Sequence, residues 1–190
     1  MNPNDHQWLV NHLEGSNTIM FKGLVLHHSA IPDRIGNDIE SIKRFHSSFV
    51  FNDRIVSEEE YNRLKLKDSK PKGLVRPPYT GGVGYHLLFE RRDGNVIYEI
   101  GRPFDVPGAH AKKYNSSHMG ICFVGNYSKV GPDEEIWKNA LEVCRIMMGY
   151  FEFPRERVIA HRETYVILGE PVQKDCPGSA WPMDRFRSEL

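Results

Sequence analysis

Two histidines at the ends of apolar runs and one cysteine in a turn are the residues of this chain whose types could do chemistry together. "FKGLVLHHSA" reads as a buried strand ending in His27 and His28, and "RVIA" is a short strand that runs straight into His161. Further on, "KDCPG" sets Cys176 between Asp175 and Pro177. Side chains alternate across a strand, so Leu24, Leu26 and His28 share one side while Val25 and His27 share the other. At most one of the adjacent histidines therefore serves a common site. Two neutral imidazoles and one thiolate around Zn²⁺ leave the fourth tetrahedral position open, the catalytic arrangement rather than the closed structural one. The same pattern equally allows separate core or surface roles for the three.

The other cysteines contrast with Cys176. Cys122 lies in the strand-like "GICFVGN" and Cys144 on the apolar face of "LEVCRIMM", where each reads as a buried thiol. Cys176 has charge on one side and Pro-Gly on the other, which reads as an exposed turn. Three cysteines are odd in number and sparse, which argues against a disulfide framework.

The elements that must position these residues follow from periodicity. "NDIESIKRFHSSF" places Ile39, Ile42, Phe45 and Phe49 on one helical stripe, with Asn37 or Asp38 as the cap. His46 shares that face and reads as a satisfied core histidine. Residues 52–80 are charged and proline-containing, with a capping-box helix at "SEEEYNRLKL" and an irregular "RPPYTGGVG". "YHLLFERRDGNVIYEI" is a hairpin turning at Asp93-Gly94, in which His86 points opposite Tyr85. "GAHAKKYNSSH" belongs to a long polar loop, and "MGICFVGNY" is another buried strand. The longest helix, Glu134–Phe151, carries a broad apolar face. His6 and His12 in the N-terminal tail read as surface residues. The expectation is an α/β fold: a single domain with one central mixed β-sheet flanked by α-helices.

Composition narrows the function. Lys plus Arg and Asp plus Glu are both 25, so the net charge is zero. The only lysine-rich run, "KLKDSKPKG", reads as a solvated loop, so nucleic acid is not the expected partner. No run approaches a membrane span, and "MNPNDHQWLVNH" has no basic start followed by an apolar stretch. The chain is expected to be made in the cytoplasm, without a visible signal peptide and without a membrane partner.

Five stretches, "LVLHHSA", "GGVGYHLLFERRDGNVIYEIGRP", "GAHAKKYNSSHMGICFVGNY", "VIAHRE" and "KDCPG", occur in one order between Gly23 and Gly178. In that order they resemble the zinc amidase family that includes T7-type phage lysozyme and the peptidoglycan recognition proteins. The resemblance implies cleavage of the amide between N-acetylmuramic acid and L-alanine in peptidoglycan. It implies one Zn²⁺ per chain held by His27, His161 and Cys176, with Tyr85 and Lys174 as catalytic residues that stabilise an oxyanion. His110 lies in a loop that the family places beside the site; with Asn115 and Arg102 it is a candidate for substrate contact. Glu163 and His28 are candidates for supporting the ligands. Residues 1–20 read as an N-terminal extension and residues 21–190 as the catalytic domain, expected to act as a monomer.

Two features depart from the family pattern. The gap between His161 and Cys176 is long, so "TYVILGEPVQ" has to loop out and return, and residues 52–80 look like an insertion before Tyr85. The leading expectation is a phage or prophage endolysin. A cytoplasmic amidase recycling anhydro-muropeptides, and a non-catalytic peptidoglycan-binding or regulatory protein, are the alternatives. Binding-only members commonly lack the cysteine ligand, and Cys176 is present.

Overall fold

Runs such as "LVLHH" and "MGICF" are apolar on both faces of the pleat, so the strands they form have to be covered on both sides. The computed structural model describes residues 6–15, 17–30, 38–68 and 70–190. In chain order the elements are α1 (Gln7–Gly15), β1 (Leu24–His28), α2 (Ile39–His46), β2 (Phe49–Phe51), β3 (Arg54–Val56), α3 (Glu58–Lys67) and β4 (Val75–Arg76). They continue as β5 (Leu87–Arg92), β6 (Asn95–Ile100), β7 (Met119–Phe123), α4 (Glu134–Phe151), β8 (Val158–Ala160), α5 (His161–Ile167) and α6 (Met183–Ser188).

The central sheet has five strands in the order β6-β5-β7-β1-β8. Only β5 and β6 pair antiparallel; the other pairings are parallel, so the sheet is mixed, as expected. The hairpin turns where expected, with Asp93 and Gly94 both at positive φ (51° and 79°), as a two-residue turn of the primed type requires. One face of the sheet offers Leu24, Leu26, Phe89, Ile121 and Phe123 to Ala140, Leu141, Cys144 and Met147 of α4. On the other face, Ile39 and Ile42 of α2 pack with Leu88 and Cys122, and Ala111 and Tyr114 pack with Val25 and Ile159. Helix α2 starts at Asp38, whose carboxylate accepts from Ser41 N, and Ile39 N donates to the buried Glu90 of β5 at 2.5 Å. The alternative cap, Asn37, lies outside the described residues. Ser57 caps α3 by accepting from Glu60 N, as read from the sequence.

Three local expectations are corrected. A second, three-stranded antiparallel sheet, β3-β2-β4, occupies part of the 52–80 region and takes Phe49 out of the helical stripe. Its tight turn is Asn52-Asp53, both at positive φ, a hairpin made without glycine. The start of "TYVILGEPVQ" is not loop, since residues 164–167 belong to α5. His6 is buried, with Nδ1 2.5 Å from the Tyr98 hydroxyl and Nε2 3.0 Å from a Glu142 carboxylate oxygen; His12 is exposed. Within residues 1–20, Leu9 and Leu13 of α1 are fully buried in the main core, so this part of the chain packs as one body with the sheet.

Candidate active site

Parallel pairing brings the histidines together. Leu26 of β1 is level with Ala160 of β8, so the next residue, His161, stands beside His27 on the α2 face, their ring centroids 4.6 Å apart. His27 is also level with Cys122 of β7. His161 opens α5, whose start is held by Glu163: its carboxylate accepts from Ala160 N at 2.7 Å and pairs with both outer nitrogens of Arg187 at 2.9 and 3.0 Å. Glu163 thus ties α5 to α6.

Cys176 returns to the same place through Arg162. The Arg162 backbone N–H donates to Cys176 O at 2.8 Å, and its guanidinium donates to Gly178 O and Trp181 O at 2.7 and 3.1 Å. Cys176 is consequently buried, 6 % exposed, where the flanking residues read as an exposed turn. The backbone N–H of His28 points at Cys176 Sγ from 3.4 Å, and His28 Nδ1 accepts from Tyr127 N at 3.2 Å. His28 therefore supports the thiol through its main chain and does not share the pocket with its ring.

One donor atom each from His27, His161 and Cys176 lies within 4.8 Å of the other two. His27 Nδ1 and Cys176 Sγ are 3.6 Å apart. A tetrahedral ion with nitrogen and sulfur ligands about 2.0–2.3 Å away spaces them roughly 3.3–3.8 Å apart, so the His27–Cys176 pair stands at zinc spacing and the two imidazoles and thiol are donor types that suit zinc. Burial holds the His27 imidazole well below its ordinary pKa, helped by His110, His161, His28 and Lys174. Burial, then Lys174 and His28, bring His161 down to about 4. Burial pushes the Cys176 thiol up to about 12, against the opposing pull of the His28 N–H and of Lys174 and Arg162. Both imidazoles are neutral and ready to bind a cation, while the thiol gives up its proton only to one.

Around this triad, the half-buried Tyr85 has its ring 5.0 Å from that of His27. Burial, then Cys122 and Cys176, raise its hydroxyl well above the ordinary phenol value, so it stays a donor at neutral pH. Lys174 is exposed at the rim, close enough for its charge to depress both histidines.

His110 reaches the centre of the site. Its Nδ1 is 3.0 Å from His27 Nε2 and its Nε2 is 3.1 Å from His118 O, and burial lowers its pKa to about 3. Asn115 shapes the loop beneath it, its Oδ1 accepting from His110 N and Ala111 N at 2.8 and 2.9 Å. Arg102 is buried and donates to the carbonyls of Val83, Pro107, Thr80 and Gly82, bracing two loops. His46 and His86 are satisfied, accepting from Gly84 N and Gly120 N respectively. The reading of the sequence missed Arg162 and His118. Only Arg162, directly after a ligand, had a positional signal.

The chain has relatives. An endolysin of Enterobacteria phage K11 is 48 % identical over 98 residues, covering 50 % of this chain and 58 % of that protein. An N-acetylmuramoyl-L-alanine amidase of Mus musculus is 35 % identical over 101 residues, 52 % of this chain and 17 % of the mouse protein. The chain thus matches less than two thirds of each of these relatives. Among solved structures, the N-acetylmuramoyl-L-alanine amidase LysC from Clostridium intestinale superposes with a TM-score of 0.56 at 19 % identity, over 91 % of this chain and 88 % of that one, a likeness of fold. Residues 16–179 match one family model along nearly the whole of the site-bearing chain, and by that match the protein belongs to the Amidase_2 family, N-acetylmuramoyl-L-alanine amidase.

Proposed function

We propose that the chain holds one Zn²⁺ on His27, His161 and Cys176 and hydrolyses the amide between N-acetylmuramic acid and L-alanine in peptidoglycan, acting on the cell wall as an endolysin. The observation that carries this reading is the convergence of the three donor atoms within 4.8 Å at one sheet edge. Its support from relatives is the phage K11 endolysin and the mouse amidase.

Bound zinc would supply a Lewis acid for the amide carbonyl and a source of hydroxide at neutral pH. The chain's own residues do the rest. The Lys174 ammonium at the rim meets negative charge as it develops on the carbonyl oxygen. The Tyr85 hydroxyl, kept protonated by burial, donates to the same oxygen or passes a proton toward the leaving amine. Burial of the triad lowers the local dielectric beside it, which strengthens the interaction of the half-buried Tyr85 more than that of the exposed Lys174.

The test pairs zinc content with substrate choice. Purified protein is analysed for zinc, then incubated with intact cell walls and, separately, with soluble anhydro-muropeptides. About one zinc per chain and release of stem peptides from intact walls are expected. Activity confined to the soluble fragments would replace the endolysin role with a recycling one. Binding to walls without amide cleavage would leave a recognition protein.

A further inference from the structure

We propose that His110 is a positioning residue which, pinned by the main-chain carbonyl of His118, fixes His27 in the tautomer whose Nδ1 is free to bind the cation. The inference rests on the metal reading above and adds an assignment of atoms.

A carbonyl oxygen can only accept, so the His110 nitrogen 3.1 Å from His118 O carries hydrogen. That nitrogen is Nε2. In a neutral imidazole the other nitrogen is then an acceptor, and His110 Nδ1 faces His27 Nε2 at 3.0 Å. His27 has to donate there, which puts its single hydrogen on Nε2 and leaves the Nδ1 lone pair bare. Nδ1 is the atom that lies 3.6 Å from Cys176 Sγ. The direction of every hydrogen in the series is set at its far end by one peptide carbonyl.

The loop is built to hold the relay. Asn115 Oδ1 clamps the main chain of His110 and Ala111, and Gly108 N donates to Asn115 O at 2.7 Å. The His110 ring lies against two glycines: a Cβ on Gly108 would come within 2.3 Å of its Cδ2, and one on Gly120 within 2.6 Å. Any side chain at either position collides with the ring, so the sequence leaves room for it on both sides. Groups that hydrogen-bond the far nitrogen of a ligating histidine orient it and raise its basicity, and their loss typically weakens metal binding about 10–100-fold.

The experiment reads the tautomer and the metal separately. ¹⁵N NMR of histidine-labelled, metal-free protein is expected to show His27 protonated on Nε2 and bare on Nδ1. His110→Leu should mix the tautomers and weaken zinc binding, measured by chelator competition, about 10–100-fold. His110→Gln offers an oxygen to His27 and an NH₂ to the His118 carbonyl, and should recover most of that loss. A wild-type His27 carrying its hydrogen on Nδ1 overturns the proposal, whatever the variants do. So does a folded His110→Leu that keeps both the wild-type tautomer and zinc affinity within threefold. Should His110→Leu not fold, the wild-type tautomer and His110→Gln decide. If the wild-type protein binds no zinc, the metal reading fails, and the tautomer measurement still judges the relay.

Discussion

Cys176 draws opposite conclusions from sequence and structure. Its neighbours, Asp175 and Pro177, describe an exposed turn, yet the thiol is buried against the end of β1 with a backbone N–H aimed at it. A buried thiol in apolar surroundings would be a packing residue. This one sits 3.6 Å from an imidazole nitrogen instead. Cys176→Ser is therefore expected to lose zinc, whereas Cys144→Ser, whose thiol lies in the α4 core, should keep it; elemental analysis of both variants decides. Lys174 poses the same kind of question at the rim. If its ammonium meets charge that exists only in the transition state, Lys174→Ala should lower kcat on cell walls by roughly 100-fold or more with little change in KM. Zinc content should stay at the wild-type level. Wild-type turnover in that variant would remove Lys174 from the mechanism.

The elements were unevenly legible, for physical reasons. Long amphipathic periodicity made α4 readable to its ends, and Asp93-Gly94 announced its hairpin because glycine there states the backbone conformation outright. The Asn52-Asp53 turn makes the same kind of connection without glycine, so β2 and β3 were hidden in a stretch that reads as charged loop. Helix α5 was hidden because Ala160 carries no capping side chain; the missing signal is Glu163, which accepts the Ala160 N–H and is itself held by Arg187. Of the site, His27, His161 and Cys176 were visible as residue types at strand ends and in a turn. The directions of the His110 and His118 groups are set by loop geometry that no spacing encodes. The cap of α4 can be tested directly. Burial raises the Asp133 carboxyl, but Arg91 and the N–H groups of Ile136 and Glu135 outweigh it, so its folded pKa lies below the ordinary value. A lowered folded pKa stabilises above the unfolded value of about 3.9 and is lost as pH falls through the folded one. Asp133→Asn keeps a capping oxygen and removes the charge. The half-exposed pair with Arg91 is screened, so the variant should lose only about 0.5 kcal/mol at pH 7. Urea titrations should show that difference shrinking below pH about 3.9 and with added salt.

At the scale of the whole molecule, the sheet separates two tasks. The face carrying Leu24, Leu26, Ile121 and Phe123 is covered by α4, α1 and α6 and holds the largest core, while the opposite face carries His27 and is covered by α2 and the His110 loop. Alternation along β1 makes this division: one residue further along the strand is one face over. Stability and chemistry should therefore respond to different substitutions. Helix α1 provides the sharpest case, because it lies in the segment that reads as an extension yet places Leu9 and Leu13 at zero exposure. A dispensable extension would tolerate truncation of either side chain. A core helix would not, and Leu13→Ala should cost about 2–5 kcal/mol, the usual range for a buried leucine that leaves a cavity. The loss should appear as a lower midpoint in urea unfolding with an unchanged slope, since native and unfolded surfaces differ little from wild type. Zinc stoichiometry and turnover of the folded fraction at 25 °C should stay at wild-type values, because the His27 triad faces the other side of the sheet. A Leu13→Ala protein as stable as wild type would return residues 1–20 to the status of an appendage. A stable one with altered zinc binding would mean that the two faces are coupled through β1.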